Sequence, residues 1–389
     1  MTELLLVMLL GLAGPLLAAP KRFALPVAVG ELLAGVLFGA SGLHIIDAKQ
    51  PNLALLGQIG FALVMMVTAS HINVQRLFAS KYTLRALVNV CLTAATALLI
   101  SYFIAWQFGS MSHLGVFAVV LASSSAAVVL PVFAKDGEAQ KSKSLKIFVS
   151  QVAIADLACV VLLPLLSNDG HSAVVAIGAA LVTGASLVVF GVLRFASRSG
   201  LWKRMRDFSA ENGFGLELRI SLILLLILVL VAQNFTVTIM VAGFGLGLAI
   251  AANGMPRRLA KQLFAVSEGL FSPIFFVLLG AGINVGSVFS QPRLLGLALL
   301  LGFGALAAHL TAGFTGLKWR LAVASSAQLG VPAAAVSIGF ATHTLTAGEG
   351  GAVMLGALIT LAATAIAAAA KTKPKRTKPA KAKPAKAKR

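Results

Sequence analysis

Charge is what this sequence has least of. Only 11% of its 389 residues are Asp, Glu, Lys or Arg, and only twelve of those are acidic. Soluble domains carry about 25% charged residues, so an ordinary soluble globular domain is excluded. Cysteine is almost absent: Cys91 and Cys159 are the two, each inside an apolar run. That excludes a disulfide framework or a thiolate metal site and leaves both as small packing residues. No acidic cluster, no His/Glu ligand spacing and no nucleophile–base pair stands out, so no enzymatic chemistry and no resident cofactor or metal is expected. The first apolar run, Leu4 to Ala19, has no basic stretch ahead of it and no clear cleavage site. It reads as a first span rather than a signal peptide.

What is present is hydrophobic length. The chain is 59% hydrophobic, and runs of the length needed to cross a bilayer recur throughout. This is the pattern of an all-α, polytopic membrane protein; a barrel would show short alternating segments instead. Thirteen transmembrane helices are predicted, at 3–19, 25–43, 54–70, 84–106, 114–134, 145–166, 172–193, 217–232, 236–252, 268–288, 294–316, 320–341 and 350–370. The basic residues test that count. Thirty of the 32 fall after odd-numbered spans, and only Lys49 and Arg293 fall on the other side. The positive-inside rule then puts the N-terminus outside and the C-terminus in the cytoplasm of a multi-pass plasma-membrane protein. Residues 371–389 carry ten Lys or Arg in Lys/Ala/Pro repeats and cannot build a core. They are predicted to form a disordered cytoplasmic tail that helps fix topology. Its chemistry also suits anionic lipid headgroups or nucleic acid.

Three segments recur in one order. Gly30-Glu31-Leu32-Leu33-Ala34-Gly35 resembles Ala242-Gly243-Phe244-Gly245-Leu246-Gly247; 61–74 resembles 273–285, both ending Ile-Asn-Val; and Ser124-Ser125-Ala126 with Pro131 resembles Ser325-Ser326-Ala327 with Pro332. The matched spans are 2 with 9, 3 with 10 and 5 with 12. An odd separation of seven spans gives the copies opposite orientation. The expectation is therefore a membrane domain over 1–370. It would hold two inverted six-helix repeats, 1–166 and 217–370, joined by a linker helix at 172–193. Inverted repeats are a signature of secondary transporters, whose site lies between the repeats near mid-membrane, at corresponding interrupted helices. Spans 5 and 12 fit, with Pro131 in one and Gly330 and Pro332 in the other. Freed carbonyls and the hydroxyls of Ser123, Ser124, Ser125, Ser325 and Ser326 would suit a small cation. Two kinked helices with serines bonded to their own backbone would leave the same trace.

Among the acids, Asp156 is the most informative, near the middle of the run 144–166. A carboxylate at mid-bilayer costs roughly 2.5 kcal/mol or more on insertion scales and marks an ion or proton pathway by default. In such a setting a carboxyl group is held by a proton or by a cation, and the two compete for it. Glu31, a few residues into span 2, could take part, snorkel or cap a helix. His309 is the only ionisable group inside span 11 and could sense pH or pair with the acid. His71 reads as interfacial.

These motifs resemble those of the monovalent cation:proton antiporter-2 family, which includes sodium/proton and potassium/proton exchangers and the membrane part of Kef-type potassium efflux systems. GELLAGVLFG at 30–39, LASSSAAVVLPVFAKDG at 121–137, VSQVAIADLACVVLL at 149–163 and SPIFFVLLGAGINV at 272–285 carry the likeness. The resemblance implies a sodium/proton antiporter fold with two crossing, partly unwound helices. Asp156 would be the ion- and proton-binding residue. Spans 4–6 and 11–13 would form a mobile core, moving like an elevator against a dimerising scaffold. Its partners would be Na⁺ or K⁺ and H⁺, membrane lipid and a second copy of the chain. The sequence departs from the pattern in several places. Ala155 precedes the aspartate, His309 stands nearest to the usual lysine, His71 replaces an acid, and Gln328-Leu329-Gly330 replaces an Arg-Gly-Glu-like stretch. One carboxylate without a lysine points to electroneutral exchange. A sodium-coupled organic-anion symporter and a channel-like potassium pathway are the competing readings.

Overall fold

The computed structural model describes residues 1–19, 26–48, 50–70, 82–133, 142–166, 172–235 and 239–369, and among these every regular element is helical. In chain order they are α1 (Thr2–Gly11), α2 (Ala13–Ala18), α3 (Val27–Phe38), α4 (Pro51–Ser70), α5 (Thr83–Phe108), α6 (Leu114–Ala122), α7 (Ala126–Phe133), α8 (Lys143–Leu166), α9 (Ser172–Arg198) and α10 (Leu201–Glu211). Then follow α11 (Leu216–Asn234), α12 (Ile239–Ala252), α13 (Arg257–Val266), α14 (Ser272–Gly282), α15 (Val285–Ser290), α16 (Pro292–Leu310), α17 (Trp319–Ser325), α18 (Gly330–Ala341) and α19 (Ala347–Ala369). Among the described residues, nine helical stretches are long and apolar enough to cross a membrane, and four shorter apolar ones accompany them. Apolar side chains all round a helix leave the backbone as its own hydrogen-bonding partner, which hydrocarbon requires. His71 and the basic tail lie outside the described residues.

The helices gather into two bundles. In one, α5 packs on α6, α8 and α16, α16 packs on α19, and α17 and α18 pack on α8. In the other, α12 lies along α4 and α14 along α3, with α1, α9 and α11 around them. The bundles meet where α8 touches α9 and α12, and where α15 leads into α16 and α19.

The second bundle is held by backbone-to-backbone approach. A Cβ at Gly243 of α12 would sit 2.2 Å from the Ala62 carbonyl oxygen of α4, and one at Gly35 of α3 would sit 2.0 Å from that of Val277 in α14. Only glycine fits at such separations, the small-residue packing used where no hydrophobic effect drives helices together. The glycine-rich segments that echo each other in sequence thus pack crosswise: span 2 on span 10, span 9 on span 3.

Two short helices, α10 and α13, were not expected. Both are basic on one side, and their buried residues are few: Ser209 in α10, and Leu259 and Leu263 in α13. α13 continues into α14 through a π turn at Ser267–Phe271 that contains Glu268.

Candidate ion site

Two helices of the first bundle stop in mid-course. α6 ends at Ala122 and α7 begins at Ala126, so Ser123–Ser125 are not helical. α17 ends at Ser325 and α18 begins at Gly330. The proline spacing points to Pro131 as the first breaker, but the break falls ahead of it, and Pro131 lies inside α7. Three consecutive serines supply the reason, since their hydroxyls compete for backbone groups. Ser123 donates to the Val120 carbonyl at 2.8 Å. In the second break Gly330 opens α18 and Pro332 stands in its first turn, where its missing N–H costs nothing.

The two breaks bind each other. The Ser125 N–H donates to the Ala327 carbonyl at 2.8 Å, and the Ser124 hydroxyl donates to the Ser325 carbonyl at 2.6 Å. Ser123 also reaches Gln328 Oε1 at 2.6 Å, sharing its proton between that oxygen and Val120. The Ser326 hydroxyl turns back to Val323 at 2.7 Å and is occupied within its own helix. All five serines and Gln328 are buried.

Asp156, on α8, is buried against this crossing. Its Oδ2 accepts the N–H of Ala126, the first residue of α7, at 3.2 Å. Helix N-termini present unpaired N–H groups and a partial positive charge, so the carboxylate sits where a negative charge is best supported. Among the described residues no Lys or Arg forms an ion pair with it.

A buried polar chain brackets the second break from outside. Asn89 of α5 donates to Gln151 Oε1 at 2.9 Å, and Gln151 Nε2 lies 3.4 Å from Ser325 Oγ. His309 Nδ1 lies 3.1 Å from the same oxygen. Ser325 accepts from Gln151 and donates to the Ala322 carbonyl at 2.7 Å. Thr315 donates to Asn89 Oδ1. His309 therefore meets the site at Ser325 and at the backbone of Leu121 and Ser123, not by pairing with Asp156. Asn89, Gln151 and Thr315 were missed in the sequence. The signal was available, because Asn89 and Gln151 are lone amides inside apolar runs.

Glu31 lies elsewhere, in the second bundle. It is 1% exposed, so it neither snorkels nor caps, and its Oε2 accepts the Ser272 hydroxyl at 3.2 Å. Glu349 closes a capping box with Thr346 at the start of α19. A cavity of about 920 Å³ opens along the seam between the bundles, lined by Gln58, Phe61, Gln233 and Phe275 on one side and Ser337 and His343 on the other. Among the described residues, no group of three or more His, Cys, Asp and Glu is placed to hold a metal ion.

With this geometry in view, the likenesses to known proteins are informative. The chain superposes on the sodium proton antiporter MjNhaP1 from Methanocaldococcus jannaschii with a TM-score of 0.63, covering 94% of this chain and 95% of that one at 17% identity. The fold is therefore that of a sodium proton antiporter. It is 23% identical over 381 residues to the Bacillus subtilis (strain 168) protein named "Putative Na(+)/H(+) antiporter YjbQ", covering 92% of this chain. It spans 61% of that relative's length. The model of the transmembrane sodium/hydrogen exchanger family matches residues 5–373. Nearly the whole chain is covered, and the chain belongs to the sodium/hydrogen exchanger family.

Proposed function

We propose that the chain is a secondary antiporter exchanging Na⁺ or K⁺ for H⁺ across the cell membrane, with Asp156 binding proton and cation in turn. The observation that carries this is the placement of Asp156. A buried carboxylate with no cationic partner among the described residues faces the N-terminus of a broken helix, where two helix breaks cross. Protonated, it is neutral. Deprotonated, it needs a positive charge, and a small cation can take the carboxylate oxygens together with hydroxyl or carbonyl oxygens of Ser123, Ser124, Ser125 and Ser325. Ser326 contributes less, because its hydroxyl is turned away.

This reading keeps thirteen spans and an inverted repeat; nine long and four shorter apolar helices among the described residues, and the crosswise glycine contacts, support it. Under that reading the first bundle is the core that carries Asp156 and the second is the scaffold of a homodimer. The cavity on the seam is the outward access route, and the core slides to trade it for an inward one. The N-terminus lies outside and the basic tail inside.

The test is cation-dependent proton flux in inside-out vesicles, with Na⁺ and K⁺ added separately, for the wild type beside Asp156→Asn. Exchange that vanishes in the variant supports the assignment and names the ion. Cation flux without any proton response in the wild type would turn the reading toward a channel or symporter.

A further inference from the structure

Two basic stretches that the ion site does not use meet at one corner of the molecule. From Arg194 to Arg206 the chain has five basic residues and no acid; from Gly254 to Lys261 it has three and no acid. Gly200, left-handed at φ +74°, turns α9 into α10, and Gly254, at φ +80°, turns α12 toward α13. The two turns share a crevice, with Leu193 and Trp202 on one side and Asn253, Pro256 and Leu259 on the other. Eight cationic residues lie on the segments that flank this crevice, and among the described residues only Arg206 has an ion-pair partner, Asp207 at 3.8 Å. Beside them stand exposed apolar side chains: Phe195 is 73% exposed, Leu201 61% and Phe208 54%.

Unpaired cations alone would suit any polyanion. Cations interleaved with exposed aromatic and aliphatic side chains on a short amphipathic helix suit the membrane surface, where the charged tips reach phosphates and the apolar bodies enter the acyl layer. The positive-inside pattern puts this corner on the cytoplasmic side, where anionic lipids concentrate. We propose that the corner formed by the α9–α10 and α12–α13 turns is a docking surface for anionic phospholipid headgroups. It would anchor the second bundle to the inner leaflet. The inference uses no step of ion exchange and stands or falls apart from it.

Trp202 lines the crevice and serves as reporter. The chain has three tryptophans, so the full-length protein with Trp106→Phe and Trp319→Phe retains only this one. It is reconstituted with brominated phosphatidylglycerol or brominated phosphatidylcholine at equal mole fraction. The expected result is quenching greater by about twofold or more with the anionic lipid, diminished at high salt. Arg194→Gln, Arg198→Gln, Lys203→Gln and Arg204→Gln together should abolish the preference, and the three arginines replaced by Lys should keep it. If the fourfold variant fails to fold, Arg194→Gln/Arg198→Gln and Arg257→Gln/Arg258→Gln, made separately, should each weaken it. Equal quenching by the two lipids, or a preference that survives neutralisation, overturns the proposal. So does protection by a single-stranded oligonucleotide without lipid preference, which would assign the surface to nucleic acid.

Discussion

Asp156 in the first bundle and Glu31 in the second, where Glu217 is also buried, are held differently. Asp156 faces the first N–H of α7 at a helix break, with serine hydroxyls and Gln328 around the crossing. Glu31 sits inside an unbroken helix and receives one hydroxyl, from Ser272, in a bundle whose helices touch backbone to backbone. The first arrangement leaves oxygen atoms that a cation can share. The second leaves an acid closed in by close contacts; a Cβ on Gly14 would lie 2.7 Å from Glu31 Cγ. What separates the two is broken helix beside the carboxyl group.

That comparison can be broken in several ways. The largest effect is expected from Asp156→Asn, which keeps size and loses charge: cation-driven proton flux should fall to the background of empty vesicles, with the protein still monodisperse in detergent. Retained pH-dependent exchange would falsify the ion-site assignment. Next comes Gly243→Ala. A methyl group 2.2 Å from the Ala62 carbonyl forces the helices apart, at a cost of about 1–3 kcal/mol. Thermal unfolding should shift down by several degrees, while the apparent KM for the cation stays unchanged. A changed KM with intact stability would mean that the glycine seam shapes the site.

Gln151→Ala should have an intermediate effect. It strands the Asn89 amide and removes a donor to Ser325, about 1–3 kcal/mol of unsatisfied polarity. Asn89→Ala combined with it should add little, because the pair acts as one unit, and a double-mutant cycle measures this directly. Fully additive losses would show that the two amides act independently. The smallest effect is expected from Glu31→Gln, which keeps an oxygen for Ser272. Flux should change by less than about twofold, because the hydrogen bond from Ser272 is kept. A loss as deep as that of Asp156→Asn would place a second titrating carboxyl group in the cycle. Competition at one carboxyl group adds a kinetic signature: the apparent KM for the cation should rise as pH falls, with the maximal rate far less affected.

Much of this architecture is readable in the sequence, and for identifiable reasons. Hydrophobic length fixes the apolar helices, because hydrocarbon tolerates little else. Asp156 stands out because its cost in the membrane is high. The echo of Gly30–Gly35 in 242–247 is visible, but its meaning as crosswise backbone contact is not, since a pairing partner leaves no local mark. The position of the first break was misjudged for a related reason. Proline is the obvious punctuation, whereas in the serine triplet Ser123 binds its own helix and Ser124 needs a carbonyl from the second break. Gln151 and Asn89, 62 residues apart, become partners only in the fold. The short helices α10 and α13 were hidden in what reads as basic loop, because one amphipathic stretch of ten or eleven residues carries little periodic signal.

The cavity on the seam also has a consequence for water. It holds about 920 Å³, and at about 30 Å³ per molecule that is on the order of thirty waters. If the bundles slide so that this volume closes, the transport cycle releases and recaptures that water at every turn. The balance between open and closed forms then depends on the activity of water in the solution the cavity opens to, and an excluded osmolyte there favours the closed form. A protein of this build would respond to dehydration of its surroundings with no sensor beyond the shape of its own entrance.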